Sequence, residues 1–358
     1  MLSESFAPLK YSSEFKLYPG HHQFASLAYR LFDSKVEYNR RARLTVTLGT
    51  ASVFDKTMTQ SSKVPSFRET GLKSVITEFA LALAGYREHI WRPSGTAIVI
   101  APYLAVTAKH VIEDYWAKFE VSALQPGSAG ESLQAAGSFQ VLAIQILNEG
   151  ETGALWDVTR LWLSPFTDVA FLRLTPRSDS ARNHKWRSAK MNLMPPPVGT
   201  WISGFGYHGS AVTLTENEDM IEVEWRDSPT TTTGEVVEMH ERRRDNSMLT
   251  FPCFRTNARF EGGMSGGPVF NDTGELCGII CTGSTLAEGD NDHISYVANL
   301  WPSMGTEIDM DREGLPKGVY YPVLELAKHG HIDAKHWERI VIVKDSAKGK
   351  HQVGINVN

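Results

Sequence analysis

The chain has 358 residues, 42% hydrophobic and 22% charged, with a formal net charge of −5, the make-up of an ordinary folded globular protein of one to three domains. The acidic balance argues against a nucleic-acid binder, which needs a basic footprint, and the one dense basic run, Arg242-Arg243-Arg244, reads as a solvated loop. No apolar stretch of about 18 residues is present for a membrane span, and the opening MLSESFAPLKYSSEFK lacks the basic start and apolar run of a secretory leader.

In chain order, Phe24 to Phe32 has the spacing of a short helix, and Arg43 to Leu48 that of a strand. Thr57 to Ser66 is polar and carries a proline, as a linker does. Ser74 to Tyr86 is apolar and could be helix or strand. From about residue 92 short apolar runs alternate with turn residues, the pattern of an all-β protein. Gly95–Ile100 and Leu104–Thr107 read as a hairpin turning at Ala101-Pro102-Tyr103, followed by a helix over Val111 to Phe119. Phe139–Leu147 and Val169–Leu174 are further strands, and Met194 to Val198 (MPPPV) is a Pro-rich connection. Seven more strands are expected between Thr200 and Asn299. After Trp301 the pattern changes again: Val323 to Arg339 has helical spacing broken by Gly330, and Tyr321 to Trp337 reads as a helix docked on the second barrel. The three cysteines, Cys253, Cys277 and Cys281, are an odd and sparse set. Cys277 and Cys281 on one strand would stand ~13 Å apart, too far for a disulfide. They read as buried free thiols of a reducing cytoplasm. The tail histidines His329, His331 and His336 do not repeat on one helical face across Gly330, so no metal and no cofactor is expected.

Three stretches carry chemistry: Thr107-Ala108-Lys109-His110 after an apolar strand, Thr167-Asp168-Val169-Ala170 before one, and Glu261 to Pro268, EGGMSGGP. A serine hydroxyl is a weak nucleophile until a base takes its proton. A tetrahedral intermediate needs preorganised donors, commonly backbone N–H groups. Glycines on both sides of Ser265 allow a tight turn and a close approach, with the Gly263 and Ser265 N–H groups aimed into one pocket. Taken singly, a glycine-rich hairpin, a structural histidine and a turn aspartate would each explain these residues. Taken together, in the order His110, Asp168, Ser265, each lies at the end of a strand, where a rigid scaffold presents side chains to a cleft. The same glycines fit a G-x-S-x-G elbow, but that elbow needs a following helix, and Pro268-Val269-Phe270 leads into a strand.

These motifs resemble those of the trypsin-like serine peptidases: TAKH is similar to their T-A-A-H, TDVA to D-I-A-L, and GMSGGP to G-D-S-G-G-P in all but one position. Leu276 to Gly283 resembles the strand that lines their substrate cleft, and Thr256 to Gly263 is most similar to the bacterial HtrA/Deg-like intracellular branch. The resemblance implies a mainly β fold of two six-stranded antiparallel β-barrels with an N-terminal extension and a C-terminal helix. Its expected boundaries are 1–90 for the extension, 91–193 for a first barrel with His110 and Asp168, 194–303 for a second with Ser265, and 304–358 for the tail. It implies an endopeptidase in which Ser265 attacks the peptide carbonyl, His110 shuttles the proton, Asp168 orients the imidazole, and Gly263 and Ser265 N–H groups hold the oxyanion. Arg259, Phe260, Cys281, Thr282 and Gly283 fall where that family lines its substrate pocket. Arg259 there would select an acidic residue, and Phe260 a small one.

The departures matter as well. Met264 replaces the acid that pairs with a newly cut N-terminus in secreted members, and Val111 stands where they have a cysteine. The tail is too short for the PDZ domain that the HtrA-like branch often carries. The expectation is a cytoplasmic peptidase acting on protein or peptide substrates, controlled through its extension or a regulatory partner docked there. The competing expectation is a catalytically dead protease fold used as a binding module.

Overall fold

The computed structural model describes residues 15–17, 23–29, 41–48, 64–70, 74–87, 90–118, 140–147, 152–217, 220–285, 293–345 and 350–356. The extension contributes strands β1 (Phe15–Leu17), β2 (Gln23–Tyr29), β3 (Arg41–Leu48) and β4 (Ser66–Glu69). The helix expected at Phe24 to Phe32 is instead strand β2, because β1 and β3 pair with it on both edges. The 57–66 linker lies mostly outside the described residues.

The first barrel is β5 (Ala80–Arg87), β6 (Ile90–Ala101), β7 (Leu104–Thr107), β8 (Gln140–Leu147), β9 (Thr152–Leu163) and β10 (Ala170–Pro176). These close in the order β10-β7-β6-β5-β8-β9. Helix α1 (Lys109–Lys118) follows β7, and a turn of helix, α2 (Asp179–Arg182), follows β10. The barrel thus begins at Ala80 and not at residue 91. The ambiguous apolar run opens with a 3-10 turn at Val75–Glu78 and becomes a strand from Ala80, where β6 and β8 flank it and residues 80–84 are buried. Trp156 and Trp162 are buried there too, and the Trp156 indole N–H donates to Gln145 Oε1 at 2.9 Å.

The short strand β11 (Met191–Asn192) leads into the second barrel, made of β12 (Trp201–Asn217), β13 (Met220–His240), β14 (Cys253–Thr256), β15 (Pro268–Phe270), β16 (Leu276–Thr285) and β17 (His293–Asn299). Antiparallel pairing runs β12-β13-β14-β17-β16-β15 and back to β12, so six strands close here as well. Strands β3 and β4 of the extension attach to the outside of β13. The molecule is therefore a chymotrypsin-like double barrel, as the motifs imply.

The tail holds β18 (Glu307–Ile308), β19 (Tyr321–Pro322), α3 (Val323–Lys328), β20 (Ala334–Lys335) and a hairpin of β21 (Ile340–Asp345) with β22 (Lys350–Ile355). The expected helix to Trp337 stops at Lys328. Gly330 adopts φ +72 and donates to Ala327 O, while His331 donates to Leu326 O, the paired bonds of a Schellman stop. The tail ties both barrels together. Asp309 accepts from Arg160 and from the Trp162 indole on β9. Lys335 pairs with Glu275 beside the second barrel, and β20 runs parallel to β11. Asp309→Ala leaves two donors of β9 without their acceptor, which predicts a loss of ~2 kcal/mol in stability. Thermal unfolding should show Asp309→Asn, which keeps an acceptor for Trp162, losing less.

Candidate active site

Strand register brings His110 and Asp168 together. In the β7–β10 ladder Thr107 faces Ala170. His110 comes three residues after Thr107 and Asp168 two before Ala170, so the two ends of adjacent strands deliver them to one rim. The Asp168 carboxylate then grips His110 twice: Oδ1 accepts the His110 backbone N–H at 2.9 Å, and Oδ2 lies 2.7 Å from Nδ1. An ionised carboxylate only accepts, so Nδ1 carries the proton and Nε2 presents a lone pair. Burial by itself would lower the His110 pKa; the Asp168 hydrogen bond and charge, helped by Asp114 and Glu113, outweigh it and raise the pKa above its ordinary 6.5.

Ser265 sits on a turn between the barrels. Met264 N–H donates to Glu261 O at 3.1 Å, and Gly263, at the third position, has φ +94, the conformation of a type II turn. A Cβ on Gly263 would come 2.7 Å from Tyr207 O. Met264 N–H is thus occupied, as are Gly266 N–H on Ile280 O and Gly267 N–H on Met264 O. Among the described residues the N–H groups of Gly263 and Ser265 have no acceptor. These are the two donors the sequence singles out. The Ser265 hydroxyl donates to the carbonyl of Cys281 at 3.2 Å.

The Met264 side chain is fully buried in the second core with Ile202, Val236, Phe254 and Ile280. An apolar plug therefore anchors the turn. A side chain on Gly206 would strike Met264 at 2.7 Å, so the fit is close.

The remaining residues separate into two groups. The Cys281 carbonyl lies against Ser265, and Thr282 and Gly283 follow it on β16. Strand β15 pairs with β16 only from Leu276 to Ile279, so among the described residues that edge of β16 has no partner strand past Ile280. Arg259 and Phe260 behave differently. The Arg259 guanidinium lies 4.6 Å from the Phe67 ring centroid of β4 and pairs with Glu261 at 2.5 Å, and its side chain is exposed. Phe260 belongs to the second core, beneath Gly204 and Gly283. All three cysteines are free and buried. Burial, then the neighbouring Asp168 carboxylate, pushes the Cys281 thiol well up, and burial foremost takes Cys253 to about 12. None of them is a thiolate nucleophile. Among the described residues no cluster of three metal-ligating side chains occurs, and no helix is long and apolar enough to cross a membrane.

Thr96, on β6, is the site residue that motif reasoning missed. It is fully buried and bonds both to the nucleophile turn and to β12. Its only sequence signal is its place next to Gly95, after which the apolar strand begins.

Several solved structures are similar to the chain. Rv3671c from M. tuberculosis H37Rv, in an inactive form, is 17% identical over 66% of this chain and 87% of its own, with a TM-score of 0.38. Deg5 is 15% identical over 62% and 85%, with a TM-score of 0.41. The MamO protease domain from Magnetospirillum magneticum is 14% identical over 63% and 93%, with a TM-score of 0.36. A search of curated proteins finds no match. The family model for the trypsin-like peptidase domain matches residues 95–279, just over half of the chain and the span that carries His110, Asp168 and Ser265. The chain belongs to the trypsin-like peptidase domain family.

Proposed function

We propose that the protein is a serine endopeptidase that cleaves peptide bonds through an acyl-enzyme. The observation that carries this reading is the joint arrangement of an Asp168-gripped His110 and a Ser265 turn whose Gly263 and Ser265 N–H groups, among the described residues, have no acceptor. A peptide would lie in extended form along the open edge of β16, from Cys281 through Thr282 to Gly283. Its carbonyl would rest near the Gly263 and Ser265 N–H groups. Ser265 Oγ leaves the Cys281 carbonyl, gives its proton to His110 Nε2 and bonds to the carbonyl carbon. The negative charge moves to the carbonyl oxygen, where the two N–H groups stabilise it. His110, held as imidazolium by Asp168, then protonates the leaving amine. Water attacks the acyl-enzyme by the reverse route.

Arg259 and Phe260 contribute to specificity from the foot of this edge, Arg259 through the face not taken by Glu261 and Phe67. The turn needs no new N-terminus, because buried Met264 already holds it. Control is therefore assigned to the extension, which adds β3 and β4 to the barrel that carries Ser265 and offers its remaining surface to a regulatory protein partner. The cellular setting that suits three free buried thiols is a reducing one, the cytoplasm.

A fluorophosphonate probe should label the wild type at one site, and Ser265→Ala should abolish labelling. Peptidase activity should fall by roughly 10⁴- to 10⁶-fold in Ser265→Ala and roughly 10⁴-fold in Asp168→Asn. A chain that is never labelled would instead be a binding module. The pH profile follows from His110. Protonated imidazole cannot accept the serine proton, so kcat/KM should rise with pH through a pKa above 6.5, and Asp168→Asn should move that limb down. The same attraction stabilises the fold below pH 6.5 and is lost as pH rises through the raised pKa. Truncation must spare β4 and β5, since β5 is a barrel strand. Removal of residues 1–63 should raise activity severalfold if the extension restrains the enzyme, and unchanged turnover would count against restraint.

A further inference from the structure

Thr96 is buried at the seam between the barrels, and each of its polar groups is used. Its backbone N–H donates to Ser265 O at 2.8 Å. Its carbonyl accepts the Thr107 hydroxyl at 2.7 Å. Its own hydroxyl accepts the Tyr207 N–H at 2.9 Å and donates to Gly263 O at 3.1 Å. The hydroxyl has one proton, and the Tyr207 amide can only donate, so that proton goes to Gly263. One residue of the first barrel therefore holds the carbonyls of Gly263 and Ser265, the two residues whose free N–H groups face the candidate oxyanion site.

We propose that the Thr96 hydroxyl is a positioning group for the oxyanion hole: by clamping the Gly263–Met264 peptide it fixes one side of the Gly263 Cα, and so holds Gly263 in the positive-φ conformation that aims its N–H, on the adjoining Gly262–Gly263 peptide, at the reacting carbonyl. The proposal rests on the peptidase reading and deepens it. The Gly263–Met264 peptide is gripped at both ends, its N–H by Glu261 O and its carbonyl by Thr96 Oγ1. The Ser265–Gly266 peptide is gripped likewise, its N–H by Ile280 O and its carbonyl by Thr96 N–H. A plane fixed at both ends cannot rotate without losing a buried hydrogen bond. Gly262 and Gly263 are otherwise free to flip, because glycine occupies several backbone regions at similar cost. The link to Ser265 is backbone and open to any residue at position 96. The link to Gly263 needs a hydroxyl. Without it, Gly263 O and Tyr207 N–H would each lose this hydroxyl as a partner and the turn would gain a reason to rearrange. An oxyanion donor acts only if it is aimed before the charge develops.

The test uses the full chain with Thr96→Val, which removes the hydroxyl, and Thr96→Ser, which keeps it. Three quantities are read: kcat and KM on a fluorogenic peptide, the affinity of a peptide aldehyde whose hemiacetal oxygen enters the hole, and the binding of the uncleaved peptide in a Ser265→Ala background. Thr96→Val should lower kcat and aldehyde affinity together by about ten- to a hundredfold, with KM and uncleaved-peptide binding within about twofold. Thr96→Ser should restore kcat to within about threefold of wild type, and the His110 acid limb should stay in place in both. Unchanged kcat in Thr96→Val, or a loss that Thr96→Ser shares, overturns the proposal. So does a loss confined to KM. Should Thr96→Val fail to fold by circular dichroism, Thr96→Ala takes its place under the same criteria. A wild-type chain that a fluorophosphonate does not label overturns the peptidase reading and this proposal with it. A labelled, active wild type with an unaffected Thr96→Val overturns the Thr96 assignment alone.

Discussion

The site is assembled by a backbone contact between the two barrels, the Thr96 N–H on Ser265 O at 2.8 Å. That contact demands that nothing stand between the strands. A side chain on Gly266 would come 2.0 Å from the Thr107 hydroxyl and 2.2 Å from Thr96 O, and Gly266 also has φ +82. A side chain on Gly95 would meet Ser265 O at 2.8 Å. Glycine is required at both positions for steric reasons, and at Gly266 for conformational ones as well. Thr107, which caps this seam, is three residues from His110. The contact that seats Ser265 therefore also ties it to the strand that leads to His110.

The second constraint is electrostatic. Asp168 is largely buried, and its carboxylate is occupied by the backbone and ring of one residue. A buried charge that makes two hydrogen bonds to its partner fixes both the position and the tautomer of that partner. The price appears in Cys281, whose thiol is kept neutral by burial and by the adjacent negative charge. Met264 illustrates the complementary strategy. Where an ion pair could hold the nucleophile turn, a buried thioether side chain does so by packing, with no charge to desolvate.

The segments outside the barrels brace them. The tail reaches Trp162 and Arg160 in one barrel and Glu275 in the other, so separating the barrels would break buried or half-buried polar contacts at both ends. The extension adds strands to β13, and through Phe67 and Arg259 it touches the segment that leads into the Ser265 turn.

Within the sequence, the order of the three motifs, the glycines around Ser265 and the alternation of apolar runs carried the fold class and the candidate triad. These are local signals: a turn that needs glycine, or a strand that needs alternating apolar residues, states its requirement within a few positions. The start of the first barrel at Ala80 and the strand at Gln23–Tyr29 were not legible, because each depends on neighbouring strands, whereas Gly330 marked the break after α3 locally. The packing of Arg259 on Phe67 and of Phe260 within the second core was likewise not legible, because Phe67 and most of the core strands lie far from both residues in the chain. Thr96 shows this limit most clearly. Nothing near it in the chain distinguishes its hydroxyl from that of any strand threonine, and its partners Tyr207, Gly263 and Ser265 all belong to the other barrel. The sequence determined the family motifs and the glycine-lined turn; only the closing of two barrels against each other decided which backbone groups of that turn are bonded and which, among the described residues, have no acceptor.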